Sequence, residues 1–278
     1  MTMQEFLSEL GRRLAEKWFS LLVLPGLLFL ASVTVAVVVG QEHWNDWSHL
    51  IRRSRGYAAD LDKQPAVTLV LATVGVLLAS AVVGLAASAL AGLVQRLWLG
   101  DWPRPFRPLA ARLTKRLQER WRNCEDPVAQ NRISLAKPDR PTWMGNSIGA
   151  VRIRVEIAYA LHLAETWPHL WLIMPKASRN EVEQVRSEFN DAARLGAWGL
   201  LYFALGAVWW PSFLIGLATG FSGWRRGRTA IDGFSKLTEA AVDIYGPRLA
   251  RILGFGSGDI PLDPKTGLLI SLLARKHA

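Results

Sequence analysis

The chain has a single cysteine among its 278 residues, Cys124. One thiol cannot form an intramolecular disulfide or a cysteine-type zinc site, so nothing in the sequence requires an oxidising compartment. The sequence also lacks the GxSxG, P-loop and HExxH patterns that mark large classes of enzymes. We therefore expect a protein that is not an enzyme, with no catalytic residue, no cofactor and no resident metal.

Charged residues are missing from three long apolar runs, at 18–40, 66–94 and 195–224. At 1.5 Å per residue, the first two runs are long enough to cross the roughly 30 Å hydrocarbon core of a bilayer as helices. The first run exceeds the apolar core of a typical signal peptide, and we interpret it as a retained anchor. Coupled transporters and proton pumps need ionisable groups inside their spans, so both classes are disfavoured.

The third run is interrupted by Trp-Trp-Pro at 209–211. Proline disfavours helical geometry in the residue before it, and tryptophans are enriched at membrane interfaces. One kinked helix would place the arginines that follow the run on the opposite side of the bilayer from the basic loop that precedes it, whereas a hairpin returns them to the same side. We predict the hairpin, over residues 189–231, with short arms that tilt or thin the bilayer.

The net charge of +10 is spread unevenly. The loop at 41–64 holds equal numbers of acidic and basic residues, whereas residues 95–194 and 225–278 hold the whole positive surplus. Because positively charged loops stay in the cytoplasm, we place these two segments inside and the 41–64 loop outside. Three arginines in the outer loop, at positions 52, 53 and 55, favour the inverted orientation instead.

These patterns together predict an all-α fold, a polytopic helical protein of the cell membrane with four transmembrane helices, amphipathic cytoplasmic helices and both termini in the cytoplasm. The predicted segments are an interfacial helix at 1–17, transmembrane helices 1 and 2 within 18–94, a basic cytoplasmic loop at 95–188, the transmembrane hairpin at 189–231 and cytoplasmic helices at 232–278.

Small residues recur every four positions late in the second run and form a ridge: Ser80, Gly84, Ser88 and Gly92. Such a ridge lets another helix approach closely, and Gly216 and Gly220 form a second pair of this kind in the last arm. Alanine, glycine and serine are also common in spans without any packing role. The spacing leaves open whether the ridge packs within one chain or between copies.

A basic amphipathic helix is predicted at 109–122. Leucines and a tryptophan share one face, and five cations surround it: Arg112, Lys115, Arg116, Arg120 and Arg122. The pattern suits a helix that lies on anionic lipid headgroups or contacts a cytoplasmic protein partner. A solvated helix that packs its leucines on the rest of the loop is an equal alternative. Nucleic-acid binding is disfavoured because no recognised module accompanies the run.

The remaining segments are also predicted to be helical. The alternating pattern at 151–157 indicates a strand if taken alone, but a single strand has no sheet to join, so we favour a helix. Ser178 and Glu181 have the spacing of a capping box that opens the helix leading into the third run. The apolar stripe at 231–249 must be buried, either against the chain's own loop or against a partner subunit.

One cluster could hold a metal or move protons: His162, Glu165 and His169, which would share a helix face. Pro168 bends or ends that helix, and no further ligand is linked to the cluster by a motif. Polar tips on an interfacial segment are the favoured interpretation of the two histidines.

Three segments carry a resemblance: 141–175 (PTWMGNSIGAV…AYALHLAETWPHLWLIMP), the Trp-Trp-Pro break and VDIYG at 242–246. With them the chain resembles a group of uncharacterised multi-pass membrane proteins of actinobacteria. Ala160 departs from the pattern, which implies a glycine after the tyrosine. The resemblance implies a multi-pass topology and transfers no activity.

Three functions follow as hypotheses, and the third is a membrane enzyme that acts through His162 and His169. In the first, the protein is a membrane anchor or scaffold that presents its basic region to a partner or to anionic lipid. In the second, it is an oligomeric pore or a membrane-perturbing effector, in which the small-residue ridge packs copies of the chain together.

Overall fold

The computed structural model describes residues 23–41, 51, 56, 64–255 and 262–276, and within them it contains helices and turns but no strand. The all-α prediction is confirmed for these residues. The predicted interfacial helix at 1–17 and most of the 41–64 loop lie outside them. The helices are α1 (Leu24–Val39), α2 (Ala66–Trp98), α3 (Arg107–Arg122), α4 (Pro127–Ile133), α5 (Trp143–Tyr159), α6 (Leu163–Ile173), α7 (Lys176–Leu205), α8 (Trp210–Ile252) and α9 (Pro264–Arg275).

One helix of the described residues, α2, is long and apolar enough to cross a membrane by length and composition, and α1 is a shorter apolar helix. Helix α2 begins at Ala66, directly after Pro65, as the sequence predicts. Four transmembrane helices are not confirmed by this criterion, because α7 and α8 mix apolar and charged stretches along their lengths.

The chain divides into two compact units. Unit 1 comprises residues 1–93 and 193–224, and unit 2 comprises residues 94–192 and 225–278. Helices α2, α7 and α8 each contribute residues to both units. The basic loop and the C-terminal tail therefore fold together in unit 2, a question that their sequences leave open.

Unit 1 is packed through small residues. A side chain at Gly26 on α1 would collide with the backbone carbonyl of Ser80 on α2, so the two helices touch at this point. Ser80 is fully buried, and its hydroxyl donates to the Leu77 carbonyl oxygen at 2.7 Å. The aromatic ring of Phe29 packs against Trp198 and Tyr202 of α7. Close backbone contact and tilted and edge-to-face ring contacts thus hold α1 in the unit.

The third apolar run forms two helices. Helix α7 ends at Leu205, α8 begins at Trp210, and the chain reverses between them. A Cβ on Gly216 would lie 2.5 Å from the Phe203 nitrogen, and the buried Ser212 hydroxyl donates to the Tyr202 carbonyl oxygen at 2.9 Å. The break at residues 206–209, directly before Trp210 and Pro211, thus separates two closely packed antiparallel arms.

Unit 2 has an apolar core built around the second half of α8. Its largest cluster joins α5, α6, α8 and α9 through Val151, Leu170, Val242, Leu249 and Ile270, all of which are buried. The apolar stripe predicted at 231–249 therefore packs mostly against its own chain. This is the first of the two interpretations of the stripe, the other being a partner subunit. Ile244 is the exception in the stripe, because 65% of its surface is exposed.

Two local expectations differ in outcome. Residues 151–157 lie within α5, so the prediction of a helix rather than a strand is confirmed. The predicted capping box is wrong, because α7 begins at Lys176 and places Ser178 inside its first turn. The Ser178 hydroxyl instead makes a hydrogen bond of 2.8 Å with the Tyr245 hydroxyl of α8. A tertiary contact that the local sequence cannot reveal replaces the cap.

Candidate functional site

The basic helix α3 is positioned by the way α2 ends. Gly100 has φ +81, a conformation that glycine adopts without steric cost. The Asp101 N–H donates to the Arg96 carbonyl oxygen at 2.8 Å, and the Gly100 N–H donates to the Leu97 carbonyl oxygen at 3.2 Å. This pair of bonds is a Schellman motif, which stops α2 and turns the chain sharply.

Arg140 then fixes the turn. Its Nη1 atom donates to the Leu99 carbonyl oxygen at 2.8 Å and to the Asp101 carboxylate at 3.1 Å. Arg140 is itself held by Asn146, a buried residue whose Oδ1 accepts from the Arg140 backbone N–H at 2.8 Å. The sequence carries no signal for this role of Arg140, because its partners lie about 40 positions earlier in the chain and share no motif with it.

All five cations predicted on α3 are exposed: Arg112, Lys115, Arg116, Arg120 and Arg122. Among the described residues none of the five has a carboxylate within salt-bridge distance. Their charges are therefore not neutralised by the part of the chain that the structure describes.

The opposite face of α3 is only partly covered. Leu113, Leu117 and Trp121 are half-buried, and the Trp121 Nε1–H donates to the Ser134 carbonyl oxygen at 3.0 Å. Phe106, the last residue of a short 3-10 helix (Arg104–Phe106) directly before α3, is 53% exposed, and Leu109 in the first turn of α3 is 47% exposed. The end of α3 closest in sequence to α2 thus combines exposed apolar side chains with exposed cations.

The small-residue ridge of α2 is divided by the fold. Ser80 and Gly84 are buried within unit 1, and the Ser88 hydroxyl donates to the Gly84 carbonyl oxygen at 3.0 Å. Gly92 is exposed, and a Cβ added there would meet no described atom within 4 Å. On α8, a Cβ on Gly216 would collide with α7, whereas a Cβ on Gly220 would point into open space.

The histidine cluster is not assembled as a metal site. Within the described residues no group of three or more potential metal ligands comes together. The Glu165 carboxylate binds Arg275 of α9 at 2.6 Å instead, and His162 lies 3.9 Å from Glu156. Pro168 lies inside α6, so of the two expected effects of this proline, the end of the helix does not occur.

Comparison of the chain with protein-family models, with curated proteins and with solved structures found no match.

Proposed function

We propose that this protein is an integral membrane anchor whose unit 1 crosses the bilayer four times and whose unit 2 is a cytoplasmic domain that lays α3 on anionic lipid. The observation that carries the proposal is the set of five exposed cations on α3 beside exposed apolar residues, a few positions after the apolar helix α2.

The surface of unit 1 supports a membrane location. Only 6% of the most apolar window of α2 is buried, and Val67, Val70 and Leu71 each expose more than 60% of their surface. Exposed leucines and phenylalanines continue on α8, at Leu214 and Phe221. Contiguous apolar surface of this extent is unfavourable in water and is covered by lipid in a bilayer.

Gln41 supports the four-span topology. Its Nε2 atom donates to the Ala207 carbonyl oxygen at 3.0 Å, and its Oε1 accepts from the Trp210 N–H at 3.3 Å. The end of α1 and the turn of the hairpin therefore lie at the same end of unit 1. In the proposed topology, α1 and α7 lead to that end and α2 and α8 lead away from it. The four helices then cross the bilayer once each, and both termini lie on one side.

Helix lengths fit this topology unevenly. Helix α2 has 33 residues, about 50 Å, and exceeds the hydrocarbon core. The hairpin segments at 193–205 and 210–224 each rise only about 20 Å. Local thinning of the bilayer and snorkelling of the arginines after Trp224 compensate for the short arms.

Lipid is the favoured contact of α3 because its cations and apolar residues occur together. Each cation near an anionic leaflet contributes about 1 kcal/mol of attraction. Exposed Phe106 and Leu109 add apolar contact at the interface. A binding surface for a folded protein would more often have a buried aromatic anchor and few uncompensated charges at its centre.

The single cysteine provides a direct test. Cys124 lies two residues after α3, so a spin label on it reports the position of the helix without any added cysteine. In nanodiscs we expect the label to lose accessibility to a water-soluble relaxation agent as the fraction of anionic lipid rises. Replacing three cations of α3 by glutamine should remove this dependence: Arg112, Arg116 and Arg120.

The matched control removes three exposed cations on other helices of unit 2 and should leave the lipid dependence intact: Arg248, Arg251 and Lys265. A label that stays equally accessible in neutral and anionic nanodiscs would refute lipid contact by α3. In that case, a pull-down in which a specific protein binds the wild-type chain but not the glutamine variant would identify a protein partner as the contact of α3.

An oligomeric pore or membrane-perturbing effector is the alternative proposal, and exposed Gly92 is its support. A Gly92→Leu substitution should break an oligomer that packs through the ridge, and Gly75→Leu is the matched control on another face of α2 with equally open space. The mass of the protein in nanodiscs distinguishes the two proposals. If the wild type, Gly92→Leu and Gly75→Leu all have the mass of a monomer, the oligomeric pore is contradicted.

A further inference from the structure

Unit 2 contains a cavity of about 560 Å³ between α5, α6 and α8. This volume lies in the range of sites for small organic ligands. Trp167 of α6 and Phe234 of α8 form part of its apolar wall, together with Leu163. Two aromatic rings and an aliphatic side chain favour a flat apolar body over a strongly hydrated one.

A buried hydroxyl distinguishes this cavity from a packing defect. Ser235 lines it and is only 6% exposed, yet its Oγ atom has no hydrogen-bond partner among the described residues. The neighbouring Thr238 hydroxyl is satisfied, because it donates to the Phe234 carbonyl oxygen at 2.7 Å. A buried polar atom without a partner is costly, so the Ser235 hydroxyl calls for a polar atom in the cavity.

One arginine on the cavity has hydrogen-bond donors that an anion could use. The charged side chains of the cavity are the guanidinium groups of Arg140 and Arg152 and the carboxylate of Asp139. Arg140 is already engaged with Asp101, whereas Arg152 lies 3.9 Å from its nearest carboxylate, that of Glu156. Arg152 and Glu156 thus form an ion pair without a hydrogen bond, and the exposed Arg152 guanidinium keeps its N–H donors for a ligand. Asp139 disfavours a second negative charge.

We propose that this cavity is a binding site for a small aromatic monocarboxylate. The ring system lies between Trp167 and Phe234, the carboxylate pairs with Arg152, and the Ser235 hydroxyl binds the ligand's polar edge or a water attached to it. None of the lining residues belongs to α3, although Arg140, which lines the cavity, also fixes the turn that precedes α3.

The test uses the full chain in neutral nanodiscs and two probes of the same shape, naphthalene-2-carboxylate and naphthalene-2-carboxamide. Calorimetry should show one site for the carboxylate with a Kd on the order of 100 µM. The amide should bind at least about tenfold more weakly, because it lacks the charge that pairs with Arg152. Titration of empty nanodiscs gives the heat of partitioning to be subtracted.

Three variants locate the site. Arg152→Gln should lower affinity for the carboxylate about tenfold and bring it level with the amide. Ala164→Phe, at an exposed position on the cavity rim, should abolish binding of both probes by filling the space. Arg251→Gln, the control, removes an exposed charge outside the cavity and should bind like the wild type.

Thermal unfolding of each variant shows that its fold is retained, so a loss of binding can be assigned to the site. The proposal is overturned if the wild-type protein binds neither probe at millimolar concentration. It is equally overturned if carboxylate and amide bind alike, or if Ala164→Phe retains the affinity of the wild type.

Discussion

Ala160 occupies a backbone position that suits glycine. It follows α5 with φ +49 and ψ +29, the left-handed region that disfavours side chains with a Cβ. A glycine would adopt this backbone conformation without the steric cost that a Cβ adds. We expect Ala160→Gly to stabilise unit 2 by about 1 kcal/mol, measured by thermal unfolding. An unchanged or lower unfolding temperature would contradict this account.

Gly267 allows α9 to dock on the end of α5. A Cβ at this position would collide with the carbonyl of Tyr159. The Ser271 hydroxyl, one turn later, accepts from the His162 N–H at 2.9 Å, so the helix cannot move away without losing this bond. We expect Gly267→Ala to destabilise unit 2 by at least about 2 kcal/mol.

Gly233→Ala is the matched control for this substitution. Gly233 lies in the middle of α8. A Cβ added there would make an ordinary contact of 3.6 Å with the side chain of Val185 in α7. Alanine is the better helix former, so this variant should be unchanged or more stable by up to about 1 kcal/mol. Equal effects of the two substitutions in denaturant titrations would refute the close contact at Gly267.

Glu239 should make stability depend on pH. Burial raises the pKa of its carboxyl, and the charges of Arg154 and Asp243 act in opposite directions as smaller effects. The folded protein therefore binds this proton more tightly than the unfolded chain does. The ionised carboxylate lowers stability above the raised pKa, and the loss disappears as the pH falls below the usual glutamate value.

We accordingly expect Glu239→Gln to raise the unfolding temperature at pH 7.5 and to have a smaller effect at pH 4. Thermal scans of both proteins at the two pH values measure the difference. A variant that is less stable at pH 7.5 would mean that the ion pair with Arg154 outweighs the cost of burial.

At the scale of elements, the hairpin of α7 and α8 depends on one of its two predicted glycines. A Cβ on Gly216 would meet the backbone of Phe203 and Gly199, whereas a Cβ on Gly220 would meet no described atom. We expect Gly216→Leu to destabilise unit 1 by about 1–3 kcal/mol and Gly220→Leu to be tolerated. Unfolding by sodium dodecyl sulfate in mixed micelles compares the two, and equal losses would contradict the packing.

Periodicity and composition predict most helices of this chain, because apolar runs, prolines and glycines act locally. The start of α2 after Pro65, a helix break beside Trp-Trp-Pro and the helical form of 151–157 follow from such local signals. The start of α7 does not, since Ser178 is held by Tyr245 of a distant helix. Fourfold spacing identifies the ridge on α2 but cannot show that Ser80 is buried while Gly92 is exposed.

At the scale of the whole molecule, the sequence separates apolar runs from basic segments but does not show how the basic segments fold. Unit 2 combines a loop and a tail that lie more than 30 residues apart in the chain. Its determinants are long-range, such as Arg140 on Leu99 and Glu165 on Arg275. The cavity beside Arg152 likewise draws on α5, α6 and α8, and no short motif connects them.

The most direct test of the account is the side of the membrane on which each unit's marker lies. Cys124 of unit 2 is to be exposed to a membrane-impermeant maleimide in intact and in permeabilised cells, and Ala207→Cys, in a Cys124→Ser background, offers a thiol to the same reagent in the hairpin turn. We expect Cys124 to react only after permeabilisation and the cysteine at 207 to react in intact cells. Labelling of both positions from the same side would contradict the four-span anchor with a cytoplasmic unit 2.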